Sequence, residues 1–305
     1  MKNILIAGGS GLIGSRLTEM LLEKGYSVNI LSRKKISENN IITYLWNPAG
    51  DFIEEAAIQN ADHIINLAGE GIADKRWSVK RKKEIMHSRV NASKTIFNAL
   101  QKNIHHVKSI VCASAMGYYS KNTNELLTEE SETGSDFLAS TVQHWEAANR
   151  EFEKTKLRTV IFRLGLVSSL KGGALAEMHK PLKFGIAAYF GNGNQYYSWI
   201  HIDDLCTMIM HAIENENTKG IYNAVSPHPE KNKNFMKIFA QAKGGFHLRM
   251  PVPRFVIKTM LGERASIVLD GQKVSSQKIE DTGFVFKYPD LRNALSNLII
   301  SSGQL

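Results

Sequence analysis

The sequence predicts an α/β protein: a Rossmann-type, doubly wound parallel sheet with a smaller C-terminal α+β lobe for a substrate. Three observations lead to this prediction. A glycine-rich turn follows an apolar first segment, strand-like and helix-like segments alternate up to residue 167, and glycine-containing loops become frequent after it. Alternating strands and helices of this length are typical of a parallel sheet with helices on both faces.

The glycine-rich turn lies between the apolar run 4–7 and the amphipathic segment 15–24. Gly8 would permit a tight turn, Gly11 would let backbone N–H groups approach a pyrophosphate, and Gly14 would let helix and strand pack closely. The positive end of the helix dipole favours an anion at the same place. The predicted dinucleotide-binding residues of this turn are Gly8, Gly11, Leu12, Ile13 and Gly14.

The second predicted strand, 26–31, is followed by Arg33 and Lys34. A site for NAD commonly has an acidic residue here, which accepts a hydrogen bond from the ribose 2′-hydroxyl. Basic residues could instead pair with the 2′-phosphate of NADP(H), for which a guanidinium is well suited. The sequence therefore favours NADP(H) over NAD. The alternative is that these residues merely end a surface strand.

Two further buried segments end in residues that suit a binding site. Segment 62–66 is followed by three uncharged residues that would let a cofactor lie against the strand, and segment 108–113 leads to Ser114. In an open parallel sheet, ligands bind at the carboxyl ends of the strands. Ser114 could therefore hold a carbonyl or hydroxyl oxygen, or it could cap the backbone. The predicted cofactor contacts after segment 62–66 are Leu67, Ala68 and Gly69.

The phenols nearest to Ser114 are those of Tyr118 and Tyr119. Either could act as a general acid or base, or its ring could pack beneath the cofactor. Glu146, on the predicted helix 137–154, is a further candidate base, with a surface or capping carboxylate as the alternative. The candidate catalytic residues are Ser114, Tyr118 and Tyr119.

Three charged residues are candidates for contacts with a substrate: Glu70, Arg76 and Arg89. A basic group near the open end of the cofactor could bind a carboxylate or a phosphate, and Glu70 could serve as a base. The alternative for Arg76 and Arg89 is ordinary surface charge.

His201, Asp203 and Asp204 have a spacing that could suit a metal, but they immediately precede an apolar helix. Asp203 or Asp204 is predicted to cap that helix instead, and no metal site is predicted. The two cysteines, Cys112 and Cys206, lack the spacing of a disulfide framework. We expect them to be buried core thiols in a reducing compartment.

Composition limits the partners that we expect. The 305 residues carry a net charge of +9, and basic residues are densest at 75–83. We interpret this cluster first as a solvated helix face. The second interpretation is that it attracts an anionic substrate, and the third is that it binds nucleic acid. No stretch approaches the roughly 20 apolar residues of a membrane span, and the residues before the first strand leave no room for a signal peptide. We therefore expect a cytoplasmic protein that acts on a small molecule, without a nucleic-acid or membrane partner.

The loops after residue 167 predict a two-part organisation. Residues 1–167 would form the NADP-binding domain, and 196–220 would return to it. Residues 168–195 and 221–305 would form the smaller substrate lobe.

With these residues in view, the chain resembles the extended short-chain dehydrogenase/reductases, which include nucleotide-sugar epimerases and dehydratases. The stretches that carry this resemblance are Gly8-x-x-Gly11-x-x-Gly14, Asn66-Leu-Ala-Gly69, Asn91, Ser114 four residues before Tyr118, and Trp199-Ile-His-Ile-Asp-Asp204. The chain is similar, more closely, to atypical epimerase family proteins whose C-terminal domain has no characterised role. The stretches typical of that branch are Arg76-Trp77, Ser88-Arg89-Val90, Gly117-Tyr-Tyr119, Trp145-Glu-Ala-Ala148 and Gly283-Phe-x-Phe-x-Tyr288. The resemblance implies a Rossmann-type domain, bound NADP(H), a small substrate lobe and, as one assembly, a homodimer.

One departure from the family pattern concerns catalysis. Most of the superfamily uses a Tyr-x-x-x-Lys helix, in which the lysine lowers the tyrosine pKa so that the phenolate can take a proton. Aligned on Trp145 and Glu146, those positions fall near Leu138 and Val142, whose side chains cannot transfer a proton.

Two classes of function follow. One is an NADP(H)-dependent oxidoreductase or epimerase-like enzyme with altered catalytic residues, and the other is a cofactor-binding regulator or scaffold.

Overall fold

The structure is a computed structural model, and it describes residues 2–35, 41–120 and 124–303. In chain order the strands are β1 (Asn3–Ala7), β2 (Ser27–Ser32), β3 (Ile41–Asn47), β4 (Phe52–Ile53), β5 (His63–Asn66), β6 (Ser109–Ala115), β7 (Leu126–Leu127), β8 (Arg158–Leu164), β9 (Leu166–Ser168), β10 (Ile186–Phe190), β11 (Tyr196–Tyr197), β12 (Trp199–His201), β13 (Gly220–Ala224), β14 (Glu230–Lys231), β15 (Leu248–Val252) and β16 (Lys273–Val274). The helices are α1 (Leu12–Glu23), α2 (Glu55–Gln59), α3 (Val79–Lys102), α4 (Phe137–Arg150), α5 (Gly173–Leu182), α6 (Ile202–Glu214), α7 (Asn232–Lys243), α8 (Arg254–Leu261), α9 (Ser266–Leu269), α10 (Gln277–Glu280) and α11 (Leu291–Ser301).

The largest sheet joins eight of the described strands in the order β13-β8-β6-β5-β1-β2-β3-β4. Its neighbours run parallel, except that β3 and β4 pair antiparallel. The chain starts in the middle at β1, moves outward through β2 and β3, and then returns to the other side of β1 through β5 and β6. Doubly wound sheets bind ligands at such a reversal. The predicted fold class is confirmed.

Both faces of the central strands β1, β2, β5, β6 and β8 are buried, which explains why these strands are rich in apolar residues. Along β1, Ile4 and Ile6 pack into one core with α1 and α6, whereas Leu5 and Ala7 pack into a second core with α2 and α3. The first core continues through Phe235 in α7 to Ile299 in α11. The main sheet and part of the C-terminal region therefore share one hydrophobic core.

A bend at Gly165 leads the chain out of the main sheet. A Cβ at this position would collide with the carbonyl oxygen of Ser198, so glycine permits the close passage of β9 along β12, its parallel partner. Outside the main sheet, β10 also pairs with β15, β11 with β14, and β16 with β7. Strand β13 joins the edge of the main sheet beside β8, so this sheet extends to Ala224, past the predicted boundary at 220. The assignment of the remaining segments to a substrate lobe stays a prediction.

The start of α6 differs from the sequence prediction. Its cap is His201, whose ring Nδ1 accepts a hydrogen bond from the backbone N–H of Asp203 at 3.0 Å. The Asp203 carboxylate instead pairs with Arg16 of α1 at 2.7 Å, and Asp204 accepts the two backbone N–H groups of segment 287–288. The prediction of an aspartate cap is therefore wrong, because both carboxylates bind segments that are distant in sequence.

Cys112 and Cys206 are buried, free thiols, as predicted. Burial raises the pKa of both thiols, so neither is a ready nucleophile. Within residues 2–35, 41–120 and 124–303, no helix combines the length and apolar character needed to cross a membrane, and no three His, Cys, Asp or Glu side chains cluster as metal ligands.

Candidate cofactor and substrate site

The turn between β1 and α1 requires glycine at two positions. Gly8 has a φ of +86°, and a Cβ there would lie 2.9 Å from the carbonyl carbon and oxygen of Leu67. A Cβ on Gly14 would collide with the carbonyl oxygen of Gly8. Gly8 therefore makes the tight turn possible, and Gly14 lets α1 start close behind β1.

The amino end of α1 is open to a ligand. Its first turn has no side-chain cap, and Gly11 is exposed. A Cβ on Gly11 would meet the carbonyl oxygen of Gly8 at 3.3 Å. Leu12 and Ile13 are half-buried and begin the helix. Uncapped backbone N–H groups at the positive end of a helix suit a pyrophosphate, so this geometry fits the predicted dinucleotide.

Arg33 and Lys34 directly follow β2 and are exposed. Strand β2 is the parallel neighbour of β1, with Leu31 opposite Ala7. Both basic residues therefore follow β2 at the same edge of the sheet as the glycine turn. No acidic residue stands between the end of β2 and residue 35, so the charge at this place is positive.

Buried polar side chains hold the chain at the end of β5. Asn66 is buried; its Oδ1 accepts the N–H of Ala68, and its Nδ2 donates to Ser93 Oγ at 3.1 Å. Ser93 in turn donates to Asn149 of α4 at 2.6 Å. These hydrogen bonds fix segment 67–69 beside the glycine turn.

Arg89 of α3 lies directly behind Gly69. A Cβ on Gly69 would stand 3.1 Å from Cγ and Cζ of Arg89. The Arg89 guanidinium donates to the carbonyl oxygen of Ile85 at 2.9 Å and lies 5.1 Å from the ring centroid of Trp145. Burial lowers its pKa to about 10. This half-buried cation forms no ion pair with a described carboxylate, which suits it to bind an anion.

Glu70 is bound by Arg81. The Nη1 atom of Arg81 donates to the carboxylates of Glu70 and Glu84, each at 3.1 Å. The Arg81 side chain is only 7% exposed. A solvated helix face is therefore the wrong interpretation for this member of the basic cluster 75–83, because its side chain turns inward. The substrate role of Glu70 stays a prediction.

Arg76 lies against the C-terminal part of the chain. A Cβ on Gly262 would stand 3.4 Å from Nη2 of Arg76. Nearby, Nη1 of Arg264 donates to the carbonyl oxygen of Ala73 at 2.6 Å. The loop after β5 thus contacts the C-terminal region, and Arg76 takes part in that contact. Its substrate role stays a prediction.

The carboxyl end of β6 meets a buried ion pair. Ser114 is 1% exposed, and its Oγ donates to Oε1 of Glu146 at 2.6 Å. Arg163 of β8 donates to both carboxylate oxygens of Glu146, through Nε at 2.8 Å and Nη2 at 2.9 Å. Burial opposes the charge of Arg163, but its bonds to Glu146 outweigh this and raise its pKa. Glu146 is therefore not the surface or capping carboxylate that the sequence offered as an alternative.

The two candidate phenols have different surroundings. Tyr119 is fully buried, and its hydroxyl donates to Asn223 and accepts from Nη1 of Arg163 at 2.9 Å. Burial raises the pKa of Tyr119 to about 12. Tyr118 is half-buried, and its ring centroid lies 3.6 Å from Cζ of Arg163. The Tyr119 hydroxyl is thus enclosed and already bonded to Asn223 and Arg163. The catalytic role of both phenols stays a prediction.

Apolar side chains stand where the resemblance places a proton-transfer pair. A Cβ on Gly117, just beyond β6, would lie 3.5 Å from Cβ of Leu138 and 3.9 Å from Cγ2 of Val142. Glu146 follows Val142 by about one helical turn and shares its face. The strand end thus faces two apolar side chains and the Glu146 carboxylate.

Sequence reasoning missed two residues of this network. Arg163 lies in the otherwise apolar segment 159–167, and a charge in a buried strand requires a buried partner. That signal could have identified it. Asn223 of β13 accepts from Tyr119, and its backbone N–H donates to the Glu129 carboxylate at 2.7 Å. No local pattern marks Asn223, because its partners are far away in sequence.

Two known family models match the chain. Residues 4–224 match the NAD dependent epimerase/dehydratase family, and residues 252–298 match a domain of unknown function, DUF1731. The first match ends with β13, at the edge of the main sheet.

Relatives and solved structures agree with these matches. Epimerase family protein SSP1921 of Staphylococcus saprophyticus is 38% identical over 302 residues, which cover 98% of this chain and 100% of the relative. Epimerase family protein YfhF of Bacillus subtilis is 37% identical over 299 residues, covering 97% and 98%. The crystal structure of human epimerase family protein SDR39U1 with NADPH has a TM-score of 0.88 and 32% identity, covering 97% and 98%. The crystal structure of the UDP-glucose 4-epimerase of Thermus thermophilus with NAD has a TM-score of 0.77 and covers 99% of this chain and 100% of its own. At 16% identity it shows a shared fold alone. The chain therefore belongs to the NAD-dependent epimerase/dehydratase family and has its NAD(P)-binding fold.

Proposed function

We propose that this chain is an NADP(H)-dependent oxidoreductase or epimerase-like enzyme that acts on a small polar substrate. The observation that carries the proposal is the uncapped start of α1 beside the exposed Arg33 and Lys34. Helix N–H groups would bind the pyrophosphate, and the two cations would bind the 2′-phosphate. The NADPH in the human SDR39U1 structure supports this choice of cofactor.

NADPH, when bound, supplies a hydride to a carbonyl carbon of the substrate, so the carbonyl oxygen becomes an alkoxide that needs a proton. We assign that proton to Tyr118, whose half-buried phenol lies three residues past the end of β6. The guanidinium of Arg163 against its ring would stabilise the negative charge that develops on the phenol oxygen. Glu146 acts as a positioning residue, because it fixes Arg163 through two hydrogen bonds.

The Ser114 hydroxyl can accept a hydrogen bond from a substrate but has no proton left to donate to it. Its single hydroxyl proton is donated to Glu146 at 2.6 Å. The Ser114 oxygen therefore has lone pairs to offer, and it can accept a hydrogen bond from a substrate hydroxyl. This polarity favours contact with the alcohol form of the substrate.

Arg89 suggests that an anionic group is bound near Gly69. Its guanidinium is desolvated, its pKa is lowered to about 10, and its described acceptor is a single backbone carbonyl. A phosphate or carboxylate would supply the missing charge. The group could come from the cofactor or from the substrate, and NADPH titrations of an Arg89→Met variant distinguish the two sources.

Calorimetry on ligand-stripped protein tests the cofactor. We expect NADPH to bind more tightly than NADH, and no heat with either NADP or NADPH would overturn the proposal. Consumption of NADPH is then followed with a panel of carbonyl compounds and nucleotide sugars. Cofactor binding without turnover on the whole panel would count against an enzyme.

A cofactor-binding regulator or scaffold is the second candidate. The observation that favours it is the apolar pair Leu138 and Val142 beside Gly117. A pull-down with and without NADPH tests it, and we expect a partner whose binding changes with the cofactor. The absence of any such partner would remove this candidate.

A cytoplasmic location and a homodimer also stay proposals. Cell fractionation tests the first, and sedimentation velocity tests the second.

A further inference from the structure

The C-terminal part of the chain has an exposed apolar tip. Its members are Phe184, Ile186, Phe246, Leu248 and Met250, which are 83%, 37%, 87%, 53% and 44% exposed. They are neighbours because β10 and β15 pair with Ile186 opposite Leu248. The backbone N–H of Leu248 also donates to the carbonyl oxygen of Gly185 at 2.8 Å.

Both phenylalanines of the apolar tip stand on turns that contain glycine. Gly185 has a φ of +74°, and Gly245 has a φ of +79°. A Cβ on Gly185 would lie 3.4 Å from the carbonyl oxygen of Phe246, so the two turns touch. Phe184 and Phe246 therefore project from adjacent points on the surface.

The chain around the apolar tip is basic. No Asp or Glu occurs in 178–202 or in 231–262. Just before the first stretch, exposed Glu177 pairs with Lys180 at 2.6 Å. The same stretches contain eight further basic residues: Lys183, Lys231, Lys233, Lys237, Lys243, Arg249, Arg254 and Lys258. Lys183 and Arg249 directly adjoin members of the tip and are exposed. An occupant of this surface must therefore be both apolar and negatively charged.

We propose that the apolar tip docks on an anionic lipid bilayer. Projecting aromatic side chains among lysines and arginines are typical of surfaces that rest in the membrane interface, where basic residues meet anionic headgroups. Lysine is depleted in protein interfaces. A two-fold contact between copies would also bring like charges together. The prediction of no membrane partner depends on the absence of a membrane-spanning segment from the sequence. Docking on one leaflet does not require such a segment.

Vesicle co-sedimentation tests this docking with the full chain. Vesicles contain either phosphatidylcholine alone or phosphatidylcholine with one part in four of phosphatidylglycerol. We expect at least about fivefold more protein to pellet with the anionic vesicles, and less at high salt, because salt screens the attraction. The double variants Phe184→Ser/Phe246→Ser and Lys183→Gln/Arg249→Gln should both lose this enrichment.

The matched control changes two equally exposed apolar residues elsewhere, Ile104 and Val285, which are 94% and 83% exposed. The Ile104→Ser/Val285→Ser variant should pellet like the parent, and all variants should keep the parental unfolding temperature. No enrichment with anionic vesicles, or equal enrichment of the phenylalanine variant, overturns the proposal. A change from dimer to monomer in the phenylalanine variant, without vesicle binding by the parent, assigns the tip to a second copy instead.

Discussion

The guanidinium carbon of Arg163 lies 3.6 Å from the ring centroid of Tyr118. The same guanidinium donates to both oxygens of Glu146 and to the hydroxyl of Tyr119. Because Arg163 is 1% exposed, its charge depends on these partners. The end of β6 therefore has a fixed phenol over a buried cation, close to the apolar positions where the resemblance places a tyrosine and a lysine.

Replacement of the buried carboxylate tests this dependence. Glu146→Gln leaves the Arg163 charge uncompensated, and we expect the free energy of unfolding to fall by about 3–5 kcal/mol. Urea denaturation measures it. The control is Lys180→Met, which removes an exposed pair with Glu177 and should cost less than about 1 kcal/mol. Equal losses in both variants would contradict a buried, mutually dependent pair.

The two phenols should separate activity from stability. Tyr119→Phe removes a buried hydroxyl that bonds Arg163 and Asn223, so we expect a loss of about 1–3 kcal/mol in the free energy of unfolding. Tyr118→Phe should change that energy by less than about 0.5 kcal/mol. It should instead lower NADPH-dependent turnover by about 10²–10⁴-fold. Urea denaturation and steady-state kinetics on both variants measure these effects. A large loss of turnover in Tyr119→Phe and none in Tyr118→Phe would assign the catalytic role to Tyr119.

The sequence predicted the features that depend on local pattern. The glycine turn and the alternation of strands and helices are of this kind, and the sheet confirms the fold class that they predict. Pairings between distant residues could not be predicted: Arg163 meets Glu146 across 17 positions, and Arg16 meets Asp203 across 187. Asp203 looked like a helix cap because caps depend on neighbouring residues, whereas its actual partner is brought close only by folding.

Two glycines of the turn should respond differently to the same substitution. Gly11→Ala places a methyl group where the pyrophosphate is proposed to bind, yet its φ of −79° is open to alanine. We expect NADPH affinity to fall at least about tenfold, with the free energy of unfolding changed by less than about 1 kcal/mol. Gly14→Ala overlaps the carbonyl oxygen of Gly8 and should cost about 1–3 kcal/mol. Calorimetry and urea denaturation test both. Unchanged NADPH binding in Gly11→Ala would place the cofactor elsewhere.

Cofactor preference should depend on Arg33. Arg33→Ser removes a charged donor proposed for the 2′-phosphate, so NADPH affinity should fall about 10–100-fold while NADH affinity stays the same. Lys35→Ser is the matched control, because Lys35 pairs with Glu54 at 3.3 Å. Calorimetric titrations of both cofactors give the ratio. An equal loss of affinity for NADPH and NADH would mean that Arg33 does not bind the 2′-phosphate.

The protein should become less stable as the pH decreases, because His63 of β5 is buried. His63 is 3% exposed, its Nδ1 lies 2.8 Å from Ser109 Oγ, and burial, with the charge of Lys2, lowers its pKa from 6.5 to about 4. Between those two values the unfolded chain binds a proton that the folded chain does not. The stabilisation is therefore present above pH 6.5 and is lost as the pH falls towards 4, by less than about 1.4 kcal/mol per pH unit. His63→Asn removes this titration but keeps a polar partner for Ser109. Urea denaturation across this pH range should show a flatter dependence than in the parent, whereas exposed His87→Gln should keep the parental slope. An unchanged slope in His63→Asn would assign the acid sensitivity to other groups.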